Sequence, residues 1–259
     1  TKTISLSAGK TFVEVLLEPV NHQLQEIVVS GTLRSVTRSA SPIPVESYPA
    51  LFFKRTANNN LFDALSMVNG VQPQVTCNVC NTGAIQINGL DGPYTMILID
   101  GMPIVSALSS VYGFMGIPNS IIKRVEVVKG PASTLYGNEA VAGLVNIITK
   151  DPAGKNQSGV ANTTSTYGEV NTDLFANPSF KRASTLIGVN HFAFNKKWDI
   201  NSDNFTDVTL QNRISVFNKW SFKRKDNLPA SLAWRYVYED RWGGELQWNT
   251  TYRGGDKIY

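Results

Sequence analysis

The sequence predicts an α+β domain followed, from about residue 153, by the first strands of an antiparallel transmembrane β-barrel (all-β). Three observations carry that expectation. Ile121–Lys150, IIKRVEVVKGPASTLYGNEAVAGLVNIITK, reads as two β-branched runs parted by a loop of small residues, and Gly130-Pro131 stops the first because proline cannot donate to a strand ladder. Residues 24–152 hold 8 Lys/Arg and 8 Asp/Glu, whereas 153–259 hold 14 and 10 together with all five Trp, which sets a boundary near Asp151–Lys155. Beyond it, apolar and polar residues alternate with aromatic rings in the apolar set, as in a wall with lipid on one side and a polar lumen on the other. No apolar run approaches the roughly 18 residues that a spanning helix needs, so membrane contact must come from strands.

From the start of the chain, Lys2–Leu6 and Thr11–Leu17 alternate around Ala8-Gly9-Lys10 as a β-hairpin, and two strands cannot fold alone. They form either the last hairpin of a small β-sandwich or a pairing strand for something else. No charged-then-apolar leader precedes them, so the chain reads as processed or truncated. Leu24–Thr32 is β-prone with no partner in view, because Arg34–Ser41 is polar and reads as flexible; such a segment is either a linker strand or one that adds to another protein's sheet edge.

The clearest helix begins at Asn60, a capping residue, with Asp63 at its third position. Leu61, Ala64, Leu65 and Val68 share a face, and Asn69-Gly70 supplies a left-handed stop. Val71–Gly92 is rich in turn formers. Ile85–Asn88 and Tyr94–Ile99 read as short strands, the second a buried apolar run turned by Asp100-Gly101, and Ser106–Tyr112 reads as an exposed loop. In the first run of the 121–150 unit, Val125 and Val127 oppose Arg124, Glu126 and Val128, which predicts one buried face; Gly137-Asn138 turns the chain before Leu144–Ile148 resumes it.

After Pro152 the expected strands are Gly159–Gly168, Ala183–Phe194, the run carrying Ile214, Val216, Trp220 and Phe222, the run carrying Leu232, Trp234, Tyr236 and Tyr238, and a last one carrying Leu246, Trp248 and Tyr252. Five strands do not close. A closed barrel needs more strands than that, so the chain is expected to be the front part of a longer protein.

The strings RVEVVKGPAS, LYG and A-G-VNIITK, with IQINGLDG and ILIDGMPI upstream, resemble the plug-domain signature of TonB-dependent outer-membrane receptors. The departure is Ala142, where the family usually has the first of two glycines. The resemblance covers roughly Leu24–Pro152 and continues more weakly to the end. It implies a plug over 42–152 held inside a barrel whose first strands occupy 153–259, in a Gram-negative outer membrane and in contact with its lipid. A TonB box and linker would span 21–41, and the end of an N-terminal β-sandwich-like domain, as in the Bacteroidetes-like branch, 1–20. Glu26, Ile27, Val28, Val29 and Ser30 fall on the core of the TonB box, which implies strand addition to a TonB-type energy-coupling protein. Plug loops of the family reach the outer mouth of the barrel, which implies a substrate-facing role for Cys77, Asn78, Val79, Cys80 and Tyr112.

Cys77 and Cys80 are the only cysteines, too few for a four-thiolate zinc site. Export through an oxidising compartment favours a local disulfide between them, and a thiolate pair offered to a soft metal is the alternative. Asp199, Asn201, Asp203, Phe205 and Asp207 have the alternate spacing of a calcium loop, but Asn204 replaces the usual glycine and Leu210 the closing acid, so the segment is either a calcium site or a solvated hairpin loop. No other cofactor is required. The resemblance implies import of a metal chelate such as a siderophore, or of haem or a cobalamin-like cofactor. A starch-utilisation-type glycan or peptide importer working with a surface lipoprotein is the alternative, yet Ser30–Ser41, SGTLRSVTRSAS, lacks the Val-Gly-Tyr-Gly-rich extension of that group. A third reading is a non-transporting component of an outer-membrane assembly. Nucleic acid finds no dense basic run with interleaved aromatics. Enzyme function finds no support either, since His22 and His191 are the only histidines and neither adjoins a cysteine or paired carboxylate.

Overall fold

The computed structural model describes residues 27–253 apart from 33, 56–57, 59, 78–81, 105–113, 225–227 and 229. The hairpin read over 2–17, Glu26, Asn78, Val79, Cys80 and Tyr112 therefore lie outside the described residues, as do the side chain of Cys77 and its expected disulfide.

Two five-stranded sheets organise what is described. The first runs in the order β3 (Val45–Pro49), β8 (Ile122–Lys129), β9 (Gly143–Thr149), β6 (Thr95–Ile99) and β7 (Met102–Pro103), antiparallel throughout except that β6 and β9 are parallel. The inner strands β8, β9 and β6 carry apolar residues on both sides because both sides are covered. Val125, Val127, Val145 and Ile147 pack with Leu61, Phe62, Leu65 and Val68. On the other face Val128, Leu144, Met96 and Leu98 pack with Val28 and Val45. The expectation of one buried face on β8 is thus corrected. Glu126, assigned by alternation to the opposite face, is completely buried there.

Short helices α1 (Ala50–Phe53) and α2 (Leu61–Ala64) cover the first face. The Asp63 N–H donates to Asn60 Oδ1 at 2.9 Å, and Gly70 takes φ +72°, as the sequence implies. Val71–Gly92 is less turn-like than its composition suggests. It forms an antiparallel hairpin, β4 (Val71–Cys77) with β5 (Thr82–Ile87), because Val71, Ile85 and Ile87 find a hydrophobic cluster to enter. The Asp100-Gly101 turn has both residues left-handed, at φ +51° and +81°.

Ala142 is accommodated without strain, buried in the same core as Val125. The close backbone approach lies one residue later. Gly143 has φ +140°, and a Cβ there would sit 2.1 Å from the Val128 carbonyl oxygen.

The second sheet is an antiparallel meander of β10 (Ser158–Thr164), β11 (Glu169–Ala176), β12 (Ala183–Phe194), β13 (Leu210–Phe222) and β14 (Ala230–Trp242). The count of five matches the sequence reading, but two members differ. Gly159–Gly168 is not one strand, since the chain leaves β10 at Thr164 and turns through Gly168, φ +102°, into β11. The run around Leu246–Tyr252 forms no strand. Gly243-Gly244 ends β14, Trp248 stacks on Trp242 with ring centroids 4.5 Å apart, and Thr250–Tyr252 is a 3-10 turn capped by Asn249. Gln211, Arg213 and Ser215 are buried toward the first sheet, whereas Ile214, Leu232, Trp234, Tyr236 and Tyr238 are exposed on the opposite face.

Candidate functional site

The N-terminal segment is not isolated. Ile27–Val28 (β1) pairs antiparallel with Val36–Thr37 (β2), Val28 opposite Val36, so the polar stretch expected to be loose supplies its partner. The segment also covers one face of the central sheet. Val28 is fully buried among Val128, Leu144 and Leu98, a burial that contributes roughly 1.5–3 kcal/mol.

Ser30, equally buried, has every polar atom engaged. Its N–H and hydroxyl donate to Glu126 Oε2 at 2.9 and 2.7 Å, and the Val29 N–H donates to the same oxygen at 2.9 Å. Asn146 Nδ2 donates to Ser30 Oγ at 2.9 Å, and the Tyr136 hydroxyl donates to the Ser30 carbonyl at 3.1 Å. Burial, and then the negative charge of Glu126, pushes the Tyr136 hydroxyl up from its ordinary pKa, which keeps it protonated and able to donate.

The two carboxylate oxygens of Glu126 divide the work. Oε1 is held by Arg124 through Nε at 2.9 Å and Nη2 at 2.6 Å, while Oε2 serves the segment alone. A buried carboxylate without a partner is costly, so the Arg124 clamp lets Glu126 survive departure of the segment. What the arrangement can do chemically is hold an extended strand in place and release it without abandoning an unpaired charge.

Glu126, Tyr136 and Asn146 were missed by the sequence reading as site residues. Each lies in one of the three quoted strings: RVEVVKGPAS, LYG and VNIITK. Glu126 and Asn146 stand directly opposite each other on β8 and β9. The available signal was a Glu and an Asn set inside apolar runs, where an isolated polar residue must find partners.

The segment at Asp199–Asp207 folds as a self-capped loop. Asp199 Oδ1 and Oδ2 accept from the Asp203 and Asn204 N–H groups, Asp203 Oδ1 from the Phe205 N–H, and Asp207 Oδ2 from the Ile200 N–H. Among the described residues no three His, Cys, Asp or Glu side chains gather as a metal site. In the segment whose Asp199, Asn201, Asp203, Phe205 and Asp207 have calcium-loop spacing, the carboxylate oxygens of Asp199, Asp203 and Asp207 thus cap backbone amides. Met115 is buried in the core, and Met102 is exposed.

Polar contacts join the two sheets, among them the Ser120 N–H donating to Asp173 Oδ2 at 3.3 Å. Lys219 on β13 binds Asp100 at 2.9 Å, Arg235 Nη2 donates to the Met115 carbonyl at 2.7 Å, and Ser215 Oγ donates to the Gly116 carbonyl. Gly188 lacks the Cβ that would come within 2.5 Å of Ile121, so Ile121 packs against Leu186 and Phe217.

A family model described as the TonB-dependent receptor plug domain matches residues 37–144. Among curated proteins, the vitamin B12 transporter BtuB of Vibrio vulnificus is 36% identical over 96 residues, covering 37% of this chain and 16% of the relative. The ferric enterobactin receptor of Pseudomonas aeruginosa is 26% identical over 245 residues, covering 84% of this chain and 32% of the relative. The chain therefore spans about a third or less of the length of these relatives. In fold it resembles the pyoverdine outer membrane receptor FpvA of Pseudomonas aeruginosa bound to pyoverdine, with TM-score 0.66, 15% identity, and coverage of 84% of this chain and 31% of that one. The ferric enterobactin receptor PfeA gives TM-score 0.59 at 21% identity, over 77% and 33% of the two chains.

Proposed function

Because the chain belongs to the TonB-dependent receptors, carrying their plug and the opening strands of their barrel, we propose that it imports a scarce nutrient in chelated form across a Gram-negative outer membrane. The cargo class is a ferric siderophore or a cobalamin-like cofactor, as the names of its relatives suggest. The receptor acts as a transporter and not as an enzyme, and Ile27–Ser30 is the strand offered to a TonB-type partner. The observation that supports this reading most is the cradle at Ser30, where three plug motifs converge on one short extended segment. A strand kept folded against its own domain and held by hydrogen bonds can be exchanged for a partner's sheet edge at little net cost. Glycan or peptide import with a surface lipoprotein finds no supporting observation here.

Deleting Glu26–Ser30 from the full-length receptor tests the coupling role. Uptake should be abolished while cargo still binds at the cell surface with near-native affinity. Normal uptake by the deletion variant would sink the proposal.

A further inference from the structure

We propose that Asn146 is a positioning residue that ties the docked strand to the ion pair joining plug and wall, so that a shift of the Asp100-Gly101 turn loosens Ser30. This rests on the reading that Ile27–Ser30 is the coupling strand. The hydrogen-bond directions are fixed by chemistry. The Gly101 N–H can only donate, so the Asn146 oxygen must face it, at 3.0 Å, which turns the Asn146 amide nitrogen toward Ser30 Oγ at 2.9 Å. Ser30 Oγ then receives that proton and gives its own to Glu126 Oε2 at 2.7 Å. The chain from Gly101 to Glu126 thus has a single polarity, and a break at one link leaves the next donor or acceptor buried without a partner.

The turn itself is held from the wall. Asp100 accepts from the Thr149 N–H at 2.8 Å and the Thr149 hydroxyl at 2.7 Å, and the Lys219 ammonium binds Asp100 Oδ2 at 2.9 Å and Thr149 Oγ1 at 3.2 Å. Asp100 sits at φ +51°, the left-handed conformation that the Asp-Gly turn uses, and Thr149 and Lys219 hold its carboxylate there as restraints on the turn. Release of Lys219 removes one of those restraints at the residue immediately before the Gly101 N–H. The wall, the central sheet and the strand are therefore joined by side chains from β13, β9 and the N-terminus, with Asn146 as the joint that touches both turn and strand.

Amide hydrogen exchange of Val29 and Ser30 in the full-length receptor, in detergent or reconstituted bilayer, tests the proposal. Lys219→Met should speed their exchange about tenfold, within the usual range of coupling between sites. Lys219→Arg should behave close to wild type because the ion pair survives. Asn146→Leu should speed exchange at least as much as Lys219→Met, and adding Lys219→Met to it should change nothing further. The Val125 and Val145 amides serve as the fold control; should Asn146→Leu deprotect them too, the isosteric Asn146→Asp takes its place, since it exchanges the donor facing Ser30 for an acceptor. Protected amides that ignore Lys219→Met, or multiplicative effects in the double variant, would overturn the relay alone. Free exchange of Val29 and Ser30 in the wild type would overturn the docked strand and the relay together.

Discussion

The two five-stranded sheets are built inside out with respect to each other. In the plug sheet both faces are covered by apolar packing, and the buried Glu126 and Asn146 are hydrogen-bonded through both ends of their side chains. In the wall sheet the polar face is the buried one, with Gln211, Arg213 and Ser215 turned toward the plug, and the apolar face carrying Ile214, Trp234 and Tyr236 is exposed. The same alternation of strand residues thus carries two meanings. The buried polar residues of the wall form one face among many of their kind, whereas the buried Glu126 and Asn146 of the plug sheet mark a site. The difference tells where a substitution should be expensive.

The largest effect should follow removal of Glu126. Glu126→Ala leaves Arg124, largely buried, without its counter-ion and strips three donors of their acceptor. Breaking a buried pair in this way costs about 3–5 kcal/mol, measurable by denaturant unfolding of the receptor. A change below 1 kcal/mol on the scale of ordinary surface substitutions would mean that the plug treats Glu126 as the wall treats its lumen residues, and the comparison would fail.

The second effect belongs to the wall. Arginine at Ile214, on the exposed apolar face, should destabilise the receptor in a bilayer by about 2–4 kcal/mol if that position meets the membrane midplane. Arginine at Ser231, on the opposite face in register with Ser221, should cost less than about 1 kcal/mol. Equal costs for Ile214→Arg and Ser231→Arg would show that the exposed apolar face does not meet lipid.

How legible these features were in the sequence follows the same division. The wall was read from alternation because its two faces differ in solvent, and alternation reports such a difference directly. It failed at Leu246–Tyr252, where Gly243-Gly244 and the stacking of Trp248 on Trp242 outweigh a β-like pattern. In the plug, alternation misled at β8 because both faces are covered, so the pattern could not tell that Glu126 is buried with Val125. The helix start at Asn60 and the stop at Gly70 were legible because caps are local chemistry. The cradle was not, since it joins residues 30, 126, 136 and 146 through contacts that no local window contains. The glycine rule at Ala142-Gly143 was half legible: one of the two positions carries the constraint, and only the 2.1 Å approach to Val128 says which.

The smallest effect lies at the exposed edge of the plug sheet, where Glu46 accepts from the Tyr48 hydroxyl at 2.6 Å and from Lys129 at 2.8 Å. Partial burial alone would raise the Glu46 carboxyl, but the Lys129 ammonium and the Tyr48 hydroxyl outweigh it and hold the pKa below the ordinary carboxylate value. The same neighbourhood pushes Tyr48 up to about 12, burial first and the hydrogen bond to Glu46 next. The signs follow by linkage. A depressed carboxyl contributes stability above its unfolded pKa, and that contribution is lost as pH falls through the folded value. A raised phenol contributes stability in full below its unfolded pKa of about 10, and loses it as pH climbs toward 12. Melting temperature against pH should therefore sag at both ends. Tyr48→Phe should flatten the alkaline limb while sparing most of the acid one, and Glu46→Gln should trim the acid limb and part of the alkaline. Because Glu46 is well exposed to solvent, its share is a fraction of what a buried pair would give. An alkaline limb as steep in Tyr48→Phe as in the wild type would assign that limb to other groups, and would leave the plug's edge as indifferent to charge as the outer surface of any soluble sheet.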